Sequence, residues 1–90
     1  MQIVQTAKEI PTGLVELTQV TEKGKAVYDP DSNGSLARAL VQEQLTDYLK
    51  DQAKRKLPSA QVLLEQIGVH APEKENRVYV TVTYCAYGPE

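Results

Sequence analysis

The longest run of helical hydrophobic spacing predicts one helix from Ser35 to about Lys56. Ser35 suits the start of this helix, because its hydroxyl can accept a hydrogen bond from the first turn. Pro58 disfavours helical geometry at Leu57, so the helix should end there. The apolar residues recur about every 3.6 residues and share one face that must lie against another element: Ala37, Val41, Leu45, Tyr48 and Leu49.

Charged residues on the same segment indicate a helix with one solvated side. Asp51 lies one turn before Arg55, a spacing at which an acid and a base attract each other. Basic residues gather towards the C-terminal end, where cations complement the helix dipole. Four charged residues are expected to face away from the apolar side: Glu43, Asp47, Lys50 and Lys54.

A strict alternation of residue types near the C-terminus predicts a strand with two different faces. One face is largely valine and should meet the helix. The other face is polar, aromatic and β-branched, as in an antiparallel sheet with one side in water. The first face holds Val78, Val80, Val82 and Tyr84, and the second holds Tyr79, Thr81, Thr83 and Cys85.

The N-terminal third of the chain predicts more strands. Residues 2–7 suit a first strand that Pro11-Thr12-Gly13 ends. A β-hairpin is expected next, with strands at residues 14–21 and 25–28 joined by Glu22-Lys23-Gly24. The segment after it, up to Gly34, is dense in turn-forming residues and carries the chain into the helix.

The segment after Pro58 has two interpretations. Gln61 to His70 can form a strand that turns at residues 72–76 and pairs with the final strand. Alternatively, Ser59 caps a second short helix through Ile67, which Gly68 ends. The strand is favoured, because the C-terminal strand needs a neighbour and a hairpin supplies one.

Together these elements predict an α+β fold in a single domain covering residues 1–90. We expect a two-layer arrangement in which the long helix lies across one face of an antiparallel sheet of four or five strands. The order along the chain would be β-β-β-α-β-β. No family-specific motif accompanies this outline.

Composition narrows the classes of function. The formal net charge is -2 and the pI is about 5.4, which disfavours a protein built mainly to hold nucleic-acid phosphates. Cys85 is the one cysteine, so the chain has no internal disulfide and no cysteine-based zinc site. No apolar run approaches the ~20 residues that span a bilayer. These features predict a soluble cytoplasmic protein without membrane partners.

A calcium loop is one candidate chemistry. Asp29, Asp31 and Asn33 alternate before Gly34, which resembles the opening of an EF-hand loop. The twelfth position of such a loop needs a bidentate glutamate, but here it is Leu40. An ordinary strand-to-helix turn is therefore favoured over a metal site.

A nucleic-acid interface is a second candidate. The C-terminal end of the helix is basic, although Asp47 and Asp51 interrupt the basic surface and no aromatic platform accompanies it. Binding through it would weaken steeply as salt rises. An accessory protein of this kind would use Lys50, Lys54, Arg55 and Lys56.

Catalysis is the weaker prediction. His70 has no nucleophile near it in sequence, the serines lie in turn or cap contexts, and the glycines form no phosphate-binding loop. We expect no enzyme activity and no cofactor. The leading prediction is an interaction protein that binds itself or another protein through its open sheet face or an edge strand, because tyrosine is enriched at such interfaces. The predicted interface residues are Tyr79, Thr81, Thr83 and Tyr87.

Overall fold

The computed structural model describes residues 1–29, 31, 34–72 and 74–90. Within those ranges, a four-stranded sheet packs against one α-helix, so the predicted α+β class is confirmed. A short 3₁₀ helix, Ala7–Glu9, follows the first strand. The strands are β1 (Gln2–Val4), β2 (Leu14–Val27), β3 (Val62–His70) and β4 (Arg77–Pro89), and the helix is α1 (Gly34–Arg55).

The sheet is mixed rather than purely antiparallel. Its strand order is β1-β3-β4-β2, with β4 antiparallel to both of its neighbours. β1 instead runs parallel to β3, through Gln2–Val4 against Val62–Leu64. Parallel neighbours need a long crossover connection, and the chain between β1 and β3 includes both β2 and α1. The expected all-antiparallel sheet is therefore wrong at this one edge.

The predicted N-terminal hairpin is also wrong, because residues 14–27 form one continuous strand. Gly24, expected in the hairpin loop, lies beneath the helix. A Cβ atom built on Gly24 would be 3.0 Å from Leu45 Cδ1 and 3.3 Å from Leu49 Cδ2. Glycine therefore allows the helix to approach the strand closely. The strand has one irregularity, a shift in pairing between Glu16 and Thr18.

The favoured strand interpretation of residues 61–70 is confirmed by β3, which pairs with β4 along its whole length. In the turn that follows, the Glu75 N–H donates to the Pro72 carbonyl at 3.3 Å. Asn76 adopts a left-handed φ of 52°, a conformation that asparagine tolerates better than most residues. The chain then enters β4 and returns beside β3.

The main core lies between α1 and the valine face of β4. Val78, Val80, Val82 and Tyr84 are fully buried, as the alternation predicts. α1 closes this face with Leu49 and Ala53, and the cluster also includes Leu63 of β3 and Ala86 of β4. Val41 and Leu45 are half-buried and pack at its margin.

Two residues of α1 lie on sides of the helix that differ from the prediction. Tyr48 is 60% exposed, because it precedes the buried Leu49 by about 100° of helix rotation. Lys50, expected on the far side, is rotated the opposite way and reaches Glu65 of β3. The Asp51–Arg55 pair forms as predicted, with 2.9 Å between Asp51 Oδ2 and Arg55 Nη2. No helix in the described ranges is long and apolar enough to cross a membrane.

A second, smaller core lies on the opposite face of the sheet, at the end where β1 pairs. Val4, Val62, Leu64 and Cys85 are buried there. The N-terminal segment covers them, with Ile10 and Leu14 packed at the margin. This end of the sheet side opposite α1 is therefore covered, whereas the prediction left that whole side open.

Candidate interaction surface

The rest of the outer sheet face is open to solvent and spans three strands. Tyr79, Thr81 and Thr83 of β4 lie along its centre and are half-buried only because strands flank them on both sides. Residues directly opposite one another on paired strands share a face. We call the resulting surface the outer face; its three rows are Lys25–Tyr79–His70, Lys23–Thr81–Gly68 and Thr21–Thr83–Gln66, whose β2 and β3 residues are all exposed.

Several side chains on the outer face are held by local contacts. The Tyr79 hydroxyl donates to Glu75 Oε2 at 2.8 Å. The Tyr79 and His70 rings lie 6.1 Å apart between centroids, tilted by 31°. The Thr21 and Thr83 hydroxyls are 3.1 Å apart and share a hydrogen bond. A partner would therefore meet side chains whose positions are largely set, which lowers the entropy lost on binding.

The fourth predicted interface residue lies outside the outer face. Tyr87 is half-buried and packs beside the second core. Cys85, on the same side of β4, is only 7% exposed. Burial raises the pKa of the Cys85 thiol, and a hydrogen bond with Glu16 raises it further. This setting keeps the thiol protonated and disfavours a reactive cysteine.

The basic end of α1 makes contacts within the chain. Lys50 Nζ lies 3.6 Å from Glu65 Oε1, and Lys54 Nζ lies 5.8 Å from the centroid of the Tyr84 ring. Arg55 pairs with Asp51, and Lys56 pairs with Glu22 of β2. The four cations proposed for nucleic acid therefore have intramolecular neighbours that partly neutralise or orient them, and the nucleic-acid hypothesis stays a prediction.

Among the described residues, the one buried charged residue is a glutamate that the sequence reading did not single out. Glu65 is 9% exposed and accepts from the Tyr84 hydroxyl at 2.7 Å and from Gln5 Nε2 at 3.3 Å. Lys50 completes the group, which joins the N-terminal segment, the helix and the sheet. A signal existed in the sequence: a glutamate directly follows the apolar run Val62–Leu64.

The electrostatics of this group fix its protonation. Burial raises the pKa of Glu65, but the hydrogen bonds from Tyr84 and Gln5 and the charge of Lys50 outweigh burial, so the pKa of Glu65 lies below its ordinary value. Burial raises the pKa of Tyr84, and its bond to the carboxylate raises it further. At neutral pH the group is a carboxylate bound by a neutral phenol and an ammonium, an arrangement that stabilises the fold.

The calcium hypothesis concerns the turn before α1. Asp29 Oδ1 accepts from the Asp31 N–H at 2.9 Å, as in an ordinary Asx turn. Asn33, the third proposed ligand, lies outside the described residues. Leu40, at the position where calcium needs a glutamate, lies within α1. Among the described residues, no group of three or more His, Cys, Asp or Glu side chains could hold a metal ion.

We expect millimolar calcium to leave the amide chemical shifts of Asp29, Asp31 and Gly34 unchanged. A loop that lacks the bidentate glutamate loses the ligand that completes a six- to eight-oxygen shell. The check is a ¹⁵N-correlated NMR titration with calcium, with magnesium as the control for ionic strength. Saturable shifts that calcium produces and magnesium does not would restore the metal-site hypothesis.

No family model matches the chain, and no curated protein or solved structure shows significant similarity to it.

Proposed function

We propose that this chain is a non-enzymatic, cytoplasmic protein–protein interaction module that binds through the open part of its sheet, either to a second copy of itself or to another protein. The observation that carries the proposal is the outer face. Its central residues, Tyr79, Thr81 and Thr83, are rigid, amphipathic and half-exposed, and no described element packs over them.

The chemistry of that face suits a protein partner. Tyrosine gives a large contact area at low entropic cost and keeps a polar tip for hydrogen bonding. Threonines in strands present a methyl group beside a hydroxyl, so the same surface accepts apolar and polar contacts. A small domain also has limited core area, and a partner that covers one sheet face adds buried surface.

The test replaces two central residues with glutamate, as Tyr79→Glu together with Thr81→Glu. We expect the double variant to abolish association without unfolding the chain, because two carboxylates would be desolvated against the partner. Light scattering on a sizing column across a tenfold concentration range measures self-association. If the wild-type chain is monomeric, the measurement is instead the binding of a synthetic peptide that can add to the sheet as an extended strand.

The matched control places the same two charges on the helix, as Leu36→Glu with Leu40→Glu, where both leucines are already exposed. Circular dichroism confirms that each variant is folded. Association that survives Tyr79→Glu/Thr81→Glu would contradict the proposal. A monomer that binds no extended peptide under any of these conditions would contradict it as well.

A further inference from the structure

We infer that the free edge of β2 binds an extended, acidic segment of a partner protein by strand addition, an inference that rests on the function proposed above. β2 is an edge strand of fourteen residues, and no described strand pairs with its outer side. At about 3.3 Å per residue this edge is roughly 46 Å long. Its outward N–H and C=O groups can pair with another extended chain.

The positive charge along this edge favours a partner segment with acidic residues. Lys23 and Lys25 are two residues apart, so both side chains lie on the outer face. Both are exposed, and neither is ion-paired with a described carboxylate. Arg77, directly opposite Val27, adds a third exposed cation at the same end. Acidic residues at alternate positions of an added strand would lie opposite these lysines.

The other side of the same edge favours apolar residues. Leu49 faces the sheet, and Tyr48 and Lys50 are rotated about 100° from it in opposite directions. Since Lys50 reaches Glu65 of β3, Tyr48 lies on the β2 side of α1. The one carboxylate facing α1 from this part of β2, Glu22, is already paired with Lys56. Residues of the added strand that point towards α1 would therefore lie near an exposed aromatic ring and a carboxylate that is already neutralised. The expected partner segment alternates acidic with apolar residues.

A second copy paired about the basic part of this edge fits less well. Gly24 lies level with Leu45 and Leu49, so a two-fold axis at Gly24 places the two helices side by side. In that antiparallel register, Lys23 of each copy is directly opposite Lys25 of the other, so two lysine pairs form, one on each side of the axis. A two-fold axis at Lys25 sets that residue against itself. Like charges directly opposite each other destabilise strand pairing.

A single-stranded nucleic acid also fits less well than an acidic peptide. It has no backbone N–H and C=O groups at strand spacing, so it cannot continue the ladder of β2, whereas an extended peptide can. The strand edge and the lysines together favour the peptide.

The test uses a synthetic peptide of about ten residues that alternates glutamate with valine, a length that covers most of the edge. Added to the ¹⁵N-labelled chain, it should slow hydrogen exchange of outward-facing β2 amides, with affinity that falls as salt rises. Lys25→Glu should weaken binding about tenfold, because an attractive cross-strand pair becomes repulsive. A peptide that alternates lysine with valine should bind Lys25→Glu better than it binds the wild type.

Two matched controls separate strand addition from general charge attraction. Lys8→Glu makes the same charge change at an exposed residue outside β2 and should leave binding unchanged. The same peptide with N-methylated amides cannot donate to the ladder and should bind far more weakly.

The inference is overturned if the wild type binds the N-methylated peptide or the lysine–valine peptide as tightly as it binds the unmodified glutamate–valine peptide. Insensitivity to Lys25→Glu would overturn it too, as would tighter binding of a single-stranded oligonucleotide at these lysines. If the inference fails while association remains sensitive to Tyr79→Glu/Thr81→Glu, the proposed function stands. If neither set of variants changes binding, both fail.

Discussion

Replacing Tyr84 with alanine is expected to lower the free energy of unfolding by about 3–5 kcal/mol, the range for removing a large buried aromatic side chain. Tyr84 is fully buried in the main core, and its hydroxyl donates to Glu65. The variant would leave both a cavity and a carboxylate without its shortest hydrogen bond. Urea denaturation followed by circular dichroism measures the loss.

Tyr84→Phe is the matched control, because it keeps the ring and removes only the hydroxyl. Its expected cost is about 1–3 kcal/mol, the penalty for leaving a buried acceptor without its donor. The difference between the two variants measures the packing of the ring. If alanine costs no more than phenylalanine, the ring does not fill the core as described.

The second large effect is expected from Glu65→Ala, which should cost about 1–3 kcal/mol at neutral pH. The Tyr84 hydroxyl would lose its acceptor and Lys50 its nearby carboxylate. Chemical denaturation at pH 7 measures the change. A variant as stable as the wild type would show that the group contributes nothing net to stability, as happens for some buried ion pairs.

The pH dependence identifies the source of that stability. The folded state lowers the pKa of Glu65 below its ordinary value of 4.5, so its contribution is present above that pH. The contribution is lost as pH falls through the lower, folded-state pKa. Wild-type stability should therefore decline faster than that of Glu65→Gln as the solution is acidified below about 4.5. Parallel declines would contradict the role given to this carboxylate.

The local sequence pattern is sufficient to predict an element when its residues follow a single consistent period. The alternation at residues 78–85 identified β4 and its buried face, because a valine at every second position leaves one interpretation. The helix was placed within a residue at each end, since a glycine and a proline mark its limits. Its buried side was less exact, because Tyr48 and Leu49 are adjacent and only the sheet decides which is covered.

Gly24 and β1 show where local pattern fails. A glycine beside a lysine and a glutamate is typical of a hairpin loop, but here the small residue is needed because Leu45 and Leu49 approach the strand. That contact joins residues more than twenty apart in the sequence. The parallel pairing of β1 with β3 has the same character, since it depends on where the whole intervening chain returns.

The candidate site could be predicted only in part, because some of its residues follow from the period of one strand and others depend on contacts between distant segments. Tyr79, Thr81 and Thr83 follow from the period of β4 alone, and they do form the centre of the outer face. Tyr87 lies at the same two-residue spacing, but the N-terminal segment packs beside it. No local sequence pattern specifies that contact. The sequence does not assign the lysines at the edge of β2 to one surface, because its pattern predicts a hairpin loop at Lys23.

The most direct test of the account is to map, by amide NMR shifts and line broadening, which residues respond to the chain's own concentration and to the glutamate–valine peptide. We predict changes confined to the outer face and the β2 edge, centred on Lys23, Lys25, Tyr79 and Thr81. Changes centred on the exposed leucines or the basic end of α1, or no changes in either titration, would contradict the claim that this protein works through its sheet.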